Sequence, residues 1–464
     1  MRRSSVPHLT PLPLMLVLAA CGDAPLFGLS VTTPQGPDPL ADVDSLRLLV
    51  TDPAGQTTEA VKGGKSFGIE LELQVSGEVG SVVLEGYLAQ ALVARGETPP
   101  MVMRPAEGHA TLLVARAGEL SSLRPRLESA GPAMTAVLVP GDGILLAGGE
   151  DLASKPLSSA ALYDFIDHEL RELPAMPAPR TDAVAAHCGS SCAVVATGAD
   201  GQGLATQMLR FDGAAWRTFD DGLSPADRRR GAGVASLQDG SYLIVGGEGL
   251  AGAMNSTLVL DPGTSDGSPT LKVLPTRAGA TRAWPAMAAS TGVVLAAGGQ
   301  AGGQPSVELF YTTSSTFQAV PLPGPRLAGA AAAVDLPDGR LVVVGGVDDD
   351  GVLLRDGWII DPVTLAVIHR ASALKQARAG HRVVRLGERL VVVGGRVEAG
   401  LADQAEVLSS DLANLRQVSV GRPRQGFVVE QMSNGSFLMA GGADAAGPVD
   451  LLEVYQTSVA YGGG

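Results

Sequence analysis

An internal repeat of about 49 residues is the feature that most constrains how this chain can fold. The hexapeptide LVVVGG stands at residues 341–346 and again at residues 390–395. Apolar runs ending in two glycines recur at intervals of 47 to 52 residues, with Thr197-Gly198 replacing the glycines once. Repetition at a fixed long period indicates one supersecondary unit used many times. Seven copies are therefore predicted from about residue 126 to the C-terminus. The glycine pairs are Gly148-Gly149, Gly246-Gly247, Gly298-Gly299, Gly345-Gly346, Gly394-Gly395 and Gly441-Gly442.

Each copy has the same internal order. A segment of small apolar residues, such as 231–237, is followed by a turn such as Gln-Asp-Gly at 238–240. Asp or Asn before Gly favours the tight turn of a β-hairpin. The apolar run comes next, then a loop of glycines and acidic residues, an alternating strand such as 257–262, and a fourth segment such as 214–219. Four short antiparallel strands per repeat are typical of a propeller blade.

These copies resemble the kelch repeat. The matching features are an arginine before the first strand, an apolar run ending in Gly-Gly, and a third strand ending in Asp261-Pro262 or Asp361-Pro362. Trp216 stands where the kelch tryptophan belongs, although most copies lack it and the aromatic residue after the glycines. The resemblance covers about 340 of the 464 residues. It implies a galactose-oxidase-like fold, so the predicted class is all-β, with a seven-bladed kelch-type β-propeller over residues 116–464.

The last copy lacks a complete fourth strand. Propellers avoid an unpaired edge by closing the ring, and residues near 112–122 are the predicted donor of the missing strand. The competing layout has residues 456–461 completing the last blade. Strand-length apolar runs separated by turns predict a small β-sandwich over residues 43–115. Immunoglobulin-like and transthyretin-like arrangements both remain open for it.

The N-terminus carries a short export motif. Arg2 and Arg3 precede an apolar stretch that ends in Leu18-Ala19-Ala20-Cys21, which resembles the lipobox of bacterial lipoproteins. The stretch is too short to span a bilayer. The resemblance implies a signal peptide over residues 1–20, a lipidated Cys21 and a flexible tether over residues 21–42. The alternative is an ordinary signal peptide with an incidental cysteine.

Location and partners follow from this motif and from charge. A lipid on Cys21 would be the protein's only membrane contact, at the bacterial outer membrane or cell surface. The formal net charge of -14 argues against nucleic acid, whose phosphates require clustered lysine and arginine. Cys188 and Cys192 stand as CGSSC, and in an oxidising compartment they are predicted to form a disulfide across a hairpin.

Charged residues in equivalent loops form a candidate binding face. Acidic residues follow the glycines and arginines precede the first strands, which places both sets on one face of a blade. A ring of carboxylates could bind a cation or a basic partner, but mutual neutralisation by the arginines is the favoured interpretation. The acids considered are Glu150, Asp151, Asp200, Glu248, Asp348, Asp349, Asp350, Glu398 and Asp444. The arginines are Arg180, Arg228, Arg282, Arg326, Arg378 and Arg424.

No catalytic constellation is evident in the sequence. The blade histidines His168, His187, His369 and His381 occupy unrelated repeat positions, which argues against a copper site. No cofactor, metal site or catalytic residue is predicted. The expected function is a monomeric cell-envelope module that binds or scaffolds a protein or a glycan. The alternative is a periplasmic sugar epimerase or lyase, which would need a buried titratable residue with an acid or base partner in the propeller mouth.

Overall fold

The structure, a computed structural model, describes residues 15–16, 28–51, 56–61, 78–102, 109–141, 143–264, 267–299 and 306–460. Every regular element in these ranges is a β-strand, and none of their residues forms a helix able to cross a bilayer. The lipobox and Cys21 lie outside the described residues. Two compact units divide the chain: the first comprises residues 1–117, 166–168 and 458–463, and the second comprises nearly all the rest.

Among its described residues, the first unit contains two main sheets and one two-stranded sheet. Five strands run in the spatial order Ala115–Arg116, Ala91–Glu97, Val82–Leu88, Ser45–Val50 and Gln56–Val61. A second sheet contains Met15–Leu16, Gly28–Thr32 and His109–Leu113, and the two-stranded sheet pairs Val79–Gly80 with Met101–Val102. Leu46, Val82 and Leu112 share one buried core. Residues 28–32 fall within the range predicted as a flexible tether, and they form a strand instead.

The second unit consists of antiparallel sheets that follow the predicted repeat. Within the described ranges it has seven sheets of four strands or more, numbered here along the chain. Sheet 1 is Met134–Val139, Gly143–Gly148, Ala160–Asp164 and Glu169–Glu172. Sheet 2 is Val184–His187, Ala193–Ala196, Gln207–Phe211 and Trp216–Asp220. Sheet 3 is Gly233–Ser236, Tyr242–Val245, Gly252–Asp261 and Thr270–Arg282, with Glu248–Gly249 attached. Sheets 4 and 5 are Ala286–Ser290, Val293–Ala297, Val307–Tyr311 and Thr316–Val320; and Ala332–Asp335, Leu341–Val344, Gly357–Ile360 and Val367–Arg370.

The last two sheets complete the set. Sheet 6 is Arg382–Leu386, Arg389–Val393, Gln404–Ser409 and Asn414–Ser419, beside the hairpin of Arg396–Val397 and Gly400–Leu401. Sheet 7 is Gln425–Gln431, Ser436–Asp444, Leu451–Gln456 and Leu120–Arg126, with Gly447–Pro448 attached. The first strand of each sheet contacts that of the next, and the first strand of sheet 7 contacts that of sheet 1. This closed circle is consistent with a β-propeller.

An N-terminal strand supplies the fourth strand of sheet 7, as predicted. Leu120 pairs with Tyr455 and Ser122 with Glu453 across an antiparallel ladder. The strand starts later than the predicted range because His109–Leu113 and Ala115–Arg116 pair within the first unit. Residues 457–460 form no strand, so the alternative layout for the last blade is wrong.

Apolar second strands supply the core between neighbouring sheets. Leu341–Val344 is completely buried, and Val343 of sheet 5 shares a cluster with Leu295 of sheet 4. The glycines that end these strands permit a sharp turn: Gly346 has a φ of 105°. A Cβ there would lie 2.6 Å from the backbone oxygen of Gly329, so a larger residue would push the neighbouring loop away.

Candidate functional site

A buried arginine precedes the first strand in five of the seven sheets. Each is at most 1% exposed and stands 16 or 17 residues before the first glycine of its sheet, or before Thr197 in sheet 2. Gly131 in sheet 1 and Ala328 in sheet 5 occupy the equivalent position. The five are Arg180, Arg229, Arg282, Arg378 and Arg424.

Four of these arginines, Arg229, Arg282, Arg378 and Arg424, tie the glycine turn to the third strand. Arg180 instead donates to Pro179 O and to Gln207 O of the third strand. In sheet 4, Nη1 of Arg282 donates to the backbone oxygens of Gly298 at 2.6 Å and Ser306 at 3.0 Å. Its Nη2 donates to Glu308 Oε2 at 2.9 Å. Sheets 6 and 7 repeat the arrangement, with Arg378 on Glu406 and Arg424 on Glu453. Burial lowers the pKa of these arginines and the partner carboxylates counteract it.

The paired glutamate occurs only where an arginine can neutralise it. The residue equivalent to Glu308 is Ala161 in sheet 1 and Trp358 in sheet 5, the two sheets that lack the arginine. Sheet 3 has Arg229, which donates from Nη1 to Gly246 O and Ser256 O at 2.9 Å each, and from Nη2 to Ser256 Oγ at 2.8 Å. The arginines therefore stabilise the fold and do not form a ligand-binding surface.

Two predicted arginines are not equivalent to the others. Arg228 pairs with Asp221 at 3.0 Å, while its neighbour Arg229 takes the buried position. Arg326 pairs with Asp349 near the surface. Because residues 228–230 are all arginine, the alignment could shift by one residue without losing the match. The constant spacing between the buried arginine and the glycine pair is the signal that distinguishes Arg229 from Arg228.

Several of the predicted acids are held within their own loops. Asp151 accepts the N–H groups of Ala153 and Lys155, and Asp200 and Asp348 accept backbone N–H groups in the same way. Asp444 pairs with Arg422 at 2.7 Å. The exposed Asp350 and Glu398 lie in separate loops. Within the described ranges no group of three or more acidic, histidine or cysteine side chains is placed to hold a metal ion.

A chain of backbone hydrogen bonds joins neighbouring sheets just before their first strands. In each sheet one residue there has positive φ, and in five of the seven sheets its N–H donates to the oxygen of its counterpart in the preceding sheet. Asp182 donates to Ala133 at 2.9 Å, Gly231 to Asp182 at 2.9 Å, and Ala133 to Gly426 at 3.3 Å, which joins sheets 1 and 7. We call these residues the collar. They are Ala133, Asp182, Gly231, Trp284, Ala330, Gly380 and Gly426.

Trp284 is the one large side chain in the collar. Its φ of 50° is rare for a bulky residue, and such backbone strain concentrates at functional sites. Its N–H donates to Gly231 O at 2.7 Å, and its indole lies against Gly231, where any side chain would collide with it. The indole Nε1 donates to Asp182 Oδ1 at 3.2 Å. The tryptophan nevertheless remains 39% exposed.

Two charged side chains, Arg230 and Asp182, contact this indole. Arg230 places Cζ 5.9 Å from the ring centroid and binds Glu248 Oε2 through Nε at 2.9 Å and Nη2 at 2.7 Å. Glu150 Oε1 accepts from Thr181 Oγ1 at 2.9 Å. Burial raises the pKa of Asp182. The hydrogen bond from Trp284 and the charge of Arg230 lower this pKa, and repulsion by Glu150 and Glu248 raises it further. We call these six residues, Glu150, Thr181, Asp182, Arg230, Glu248 and Trp284, the Trp284 cluster.

A cavity of about 490 Å³ lies at the opposite ends of the first strands. Six of the seven first strands contribute to its wall, and we call it the channel cavity. Most of the wall is alanine, valine, leucine, methionine and proline. Its polar side chains are His187, Ser236, Tyr242, Asp335 and Glu430.

The disulfide Cys188–Cys192 is confirmed beside this cavity. The two Cα atoms are 5.1 Å apart, and Cys188 N donates to Cys192 O at 3.0 Å across the hairpin. The blade histidines are scattered, as expected. Burial lowers the pKa of His381 to about 3 and that of His168 to about 4, while His369 binds Asp356 at 2.7 Å.

Sequence reasoning missed both Trp284 and Glu430. Trp284 stands two residues after a repeat arginine, at a collar position that the other sheets fill with small residues or Asp182. Its large side chain at that position was the signal in the sequence that could have identified it.

Among known proteins, neither a family model nor a curated sequence matches this chain.

Proposed function

We propose that this protein is a lipid-anchored bacterial cell-envelope protein whose seven-bladed kelch-type propeller binds a ligand at the collar. The seven sheets, the closed circle of first strands and the repeated glycine pairs support the propeller. The lipobox-like motif at Cys21 supports the anchor at the outer membrane or cell surface. A small β-sandwich would stand between the anchor and the propeller.

The Trp284 cluster is the observation that carries the binding function. An exposed tryptophan face stacks well on flat or apolar ligand surfaces, and tryptophan is enriched among residues that dominate binding. The Asp182 carboxylate accepts the indole Nε1–H, and the carboxylates of Glu150 and Glu248 lie close enough to Asp182 to raise its pKa. A sugar offers an apolar ring face and donor hydroxyls together, so the cluster favours a glycan over a protein ligand.

Internal comparison indicates that Trp284 is not needed for the fold. Five of the other six collar positions are alanine or glycine. Trp284→Ala would therefore give sheet 4 the kind of small residue that the collar of most other sheets already has. Retention of a strained, exposed aromatic residue where a small residue would suffice supports a role in binding.

The alternative, a sugar epimerase or lyase, receives less support. Glu430 in the channel cavity is titratable and surrounded by protein, and burial raises its pKa to about 7. Catalysis would also require an acid or base partner. Among the described residues, none forms a hydrogen bond or ion pair with Glu430, and the Tyr242 hydroxyl accepts the backbone N–H of His187 at 3.2 Å.

A glycan array tests the proposal. Labelled protein starting at Gly28 is compared with Trp284→Ala and with Val363→Ala, which removes an 88% exposed side chain from a turn of sheet 5. Glycan signals should disappear in Trp284→Ala and persist in Val363→Ala. Trp284-dependent capture of an envelope protein with no glycan signal would identify a protein ligand. Signals equal in all three proteins, or no ligand at all, would overturn the proposal.

A further inference from the structure

We propose that the channel cavity binds a small organic cation, with its ammonium or guanidinium group on the Glu430 carboxylate and its apolar body against the first strands. This site lies at the opposite end of the first strands from the collar and does not depend on Trp284.

The cavity has the size and lining of a small-molecule site. Ligand pockets typically enclose about 300 to 1,000 Å³ and are mostly apolar with a few placed polar groups. The channel cavity encloses about 490 Å³ and includes Val137, Val234 and Met287 in its wall. Such a wall suits an alkyl or aryl group, and the polar residues at its rim determine which charged group can enter.

Glu430 differs from the other glutamates of the repeat. Glu308, Glu406 and Glu453 are each neutralised by a buried arginine. Glu430 is half-buried in the first strand of sheet 7, and no described residue donates a hydrogen bond to it or forms an ion pair with it. An ionised carboxylate in such surroundings is costly unless a cation joins it. Burial accordingly raises its pKa to about 7.

Neighbouring charged groups are already engaged. Arg385 of sheet 6 binds Asp335 at 3.1 Å, and Arg382 at the start of the same strand donates to His381 O at 3.3 Å. Burial lowers the pKa of His187, which disfavours a charged imidazolium there. Burial also raises the pKa of Tyr242, with a smaller contribution from Glu430. Within the described ranges, none of these groups forms an ion pair with Glu430.

A metal ion fits this site poorly. Zinc takes three or four protein ligands and calcium six to eight oxygens, whereas the second carboxylate of the cavity, Asp335, is held by Arg385. One unpaired carboxylate beside apolar side chains such as Val234 and Met287 matches a monovalent organic cation, which needs one charged contact and a surface for its hydrocarbon part.

Isothermal calorimetry on the chain starting at Gly28 tests the proposal. The probes are butylammonium, hexylammonium and phenethylammonium, with hexan-1-ol as the uncharged comparison. At pH 8 at least one ammonium should bind and bind at least tenfold more weakly to Glu430→Gln, while hexan-1-ol should not distinguish the two proteins. No binding by any ammonium, or equal binding to both proteins, overturns the proposal.

Proton release provides an independent measurement. At pH 6 the Glu430 carboxyl is mostly protonated, so a bound cation should displace its proton. The heat of binding should then depend on the buffer's ionisation enthalpy in the wild type and not in Glu430→Gln. Asp335→Asn is the matched control, because it removes a cavity carboxylate that Arg385 already neutralises, and it should retain proton release. Release that persists in Glu430→Gln would contradict the assignment.

Discussion

Removing one member of the Arg378–Glu406 pair should strongly destabilise the second unit. Both side chains are completely buried, and Arg378 Nη2 donates to Glu406 Oε1 at 2.7 Å. Glu406 also accepts the N–H groups of Lys375 at 2.7 Å and Gln376 at 3.2 Å. Breaking a buried ion pair leaves an uncompensated charge and costs about 3–5 kcal/mol. We expect this loss for Glu406→Ala and for Arg378→Ala.

The double variant should cost less than the sum of the two single variants. Sheet 5 carries Ala328 and Trp358 at the equivalent positions, so an uncharged pair is compatible with the backbone. Arg378→Ala combined with Glu406→Ala leaves no isolated charge, and the coupling between contacting residues should be about 2 kcal/mol.

Urea unfolding followed by circular dichroism measures these differences. Arg326→Ala is the matched control, because Arg326 pairs with Asp349 near the surface and such pairs contribute about 0–1 kcal/mol. Additive losses in the double variant, or a loss in Arg378→Ala no larger than in Arg326→Ala, would refute the argument that these arginines stabilise the repeat through a buried pair.

Three further outcomes are expected. Cys21→Ser should leave the protein out of the detergent phase on partitioning, because only the thiol accepts lipid; a variant that still partitions would contradict lipidation. A chain starting at Leu127 should aggregate in size-exclusion chromatography while one starting at Gly28 stays monomeric, since the first lacks the closing strand and exposes a sheet edge; equal behaviour would count against closure by that strand. Because the folded pKa of Glu430 is raised to about 7, its proton stabilises the native state at acidic pH and this contribution is lost as pH rises towards 7. Glu430→Gln should therefore melt above the wild type at pH 8 and not at pH 5, and a difference independent of pH would be incompatible with this linkage.

The repeat period carried most of what could be predicted about the second unit. Seven apolar runs ending in Gly-Gly or Thr-Gly predicted the second strands, and the missing fourth strand of the last copy predicted the borrowed segment. The start of that segment was less predictable, because residues 109–116 have the same strand-like pattern and pair within the first unit. Local composition does not reveal which sheet a strand will join.

The candidate sites were harder to predict for physical reasons. Burial of Arg282, Arg378 and Arg424 depends on carbonyl groups that the glycine turn presents only in the folded sheet. Glu430 belongs to the segment Gly426–Gln431, where nothing in the sequence distinguishes a carboxylate facing a cavity from one facing water. Charge patterning along the loops therefore identified a plausible face but assigned structural arginines to it.

The glycan affinity of the wild type and of two Trp284 variants is the most direct measurement of the proposed binding function. The strongest glycan from the array is titrated calorimetrically against the wild type, Trp284→Phe and Trp284→Ala. Stacking on an aromatic ring contributes about 0.5–1.5 kcal/mol beyond the area that it buries, so the alanine variant should bind at least tenfold more weakly. The phenylalanine variant, which keeps a ring but loses the Nε1 hydrogen bond to Asp182, should fall between them. Affinities within twofold of each other, in variants that melt like the wild type, would contradict a binding role for the collar.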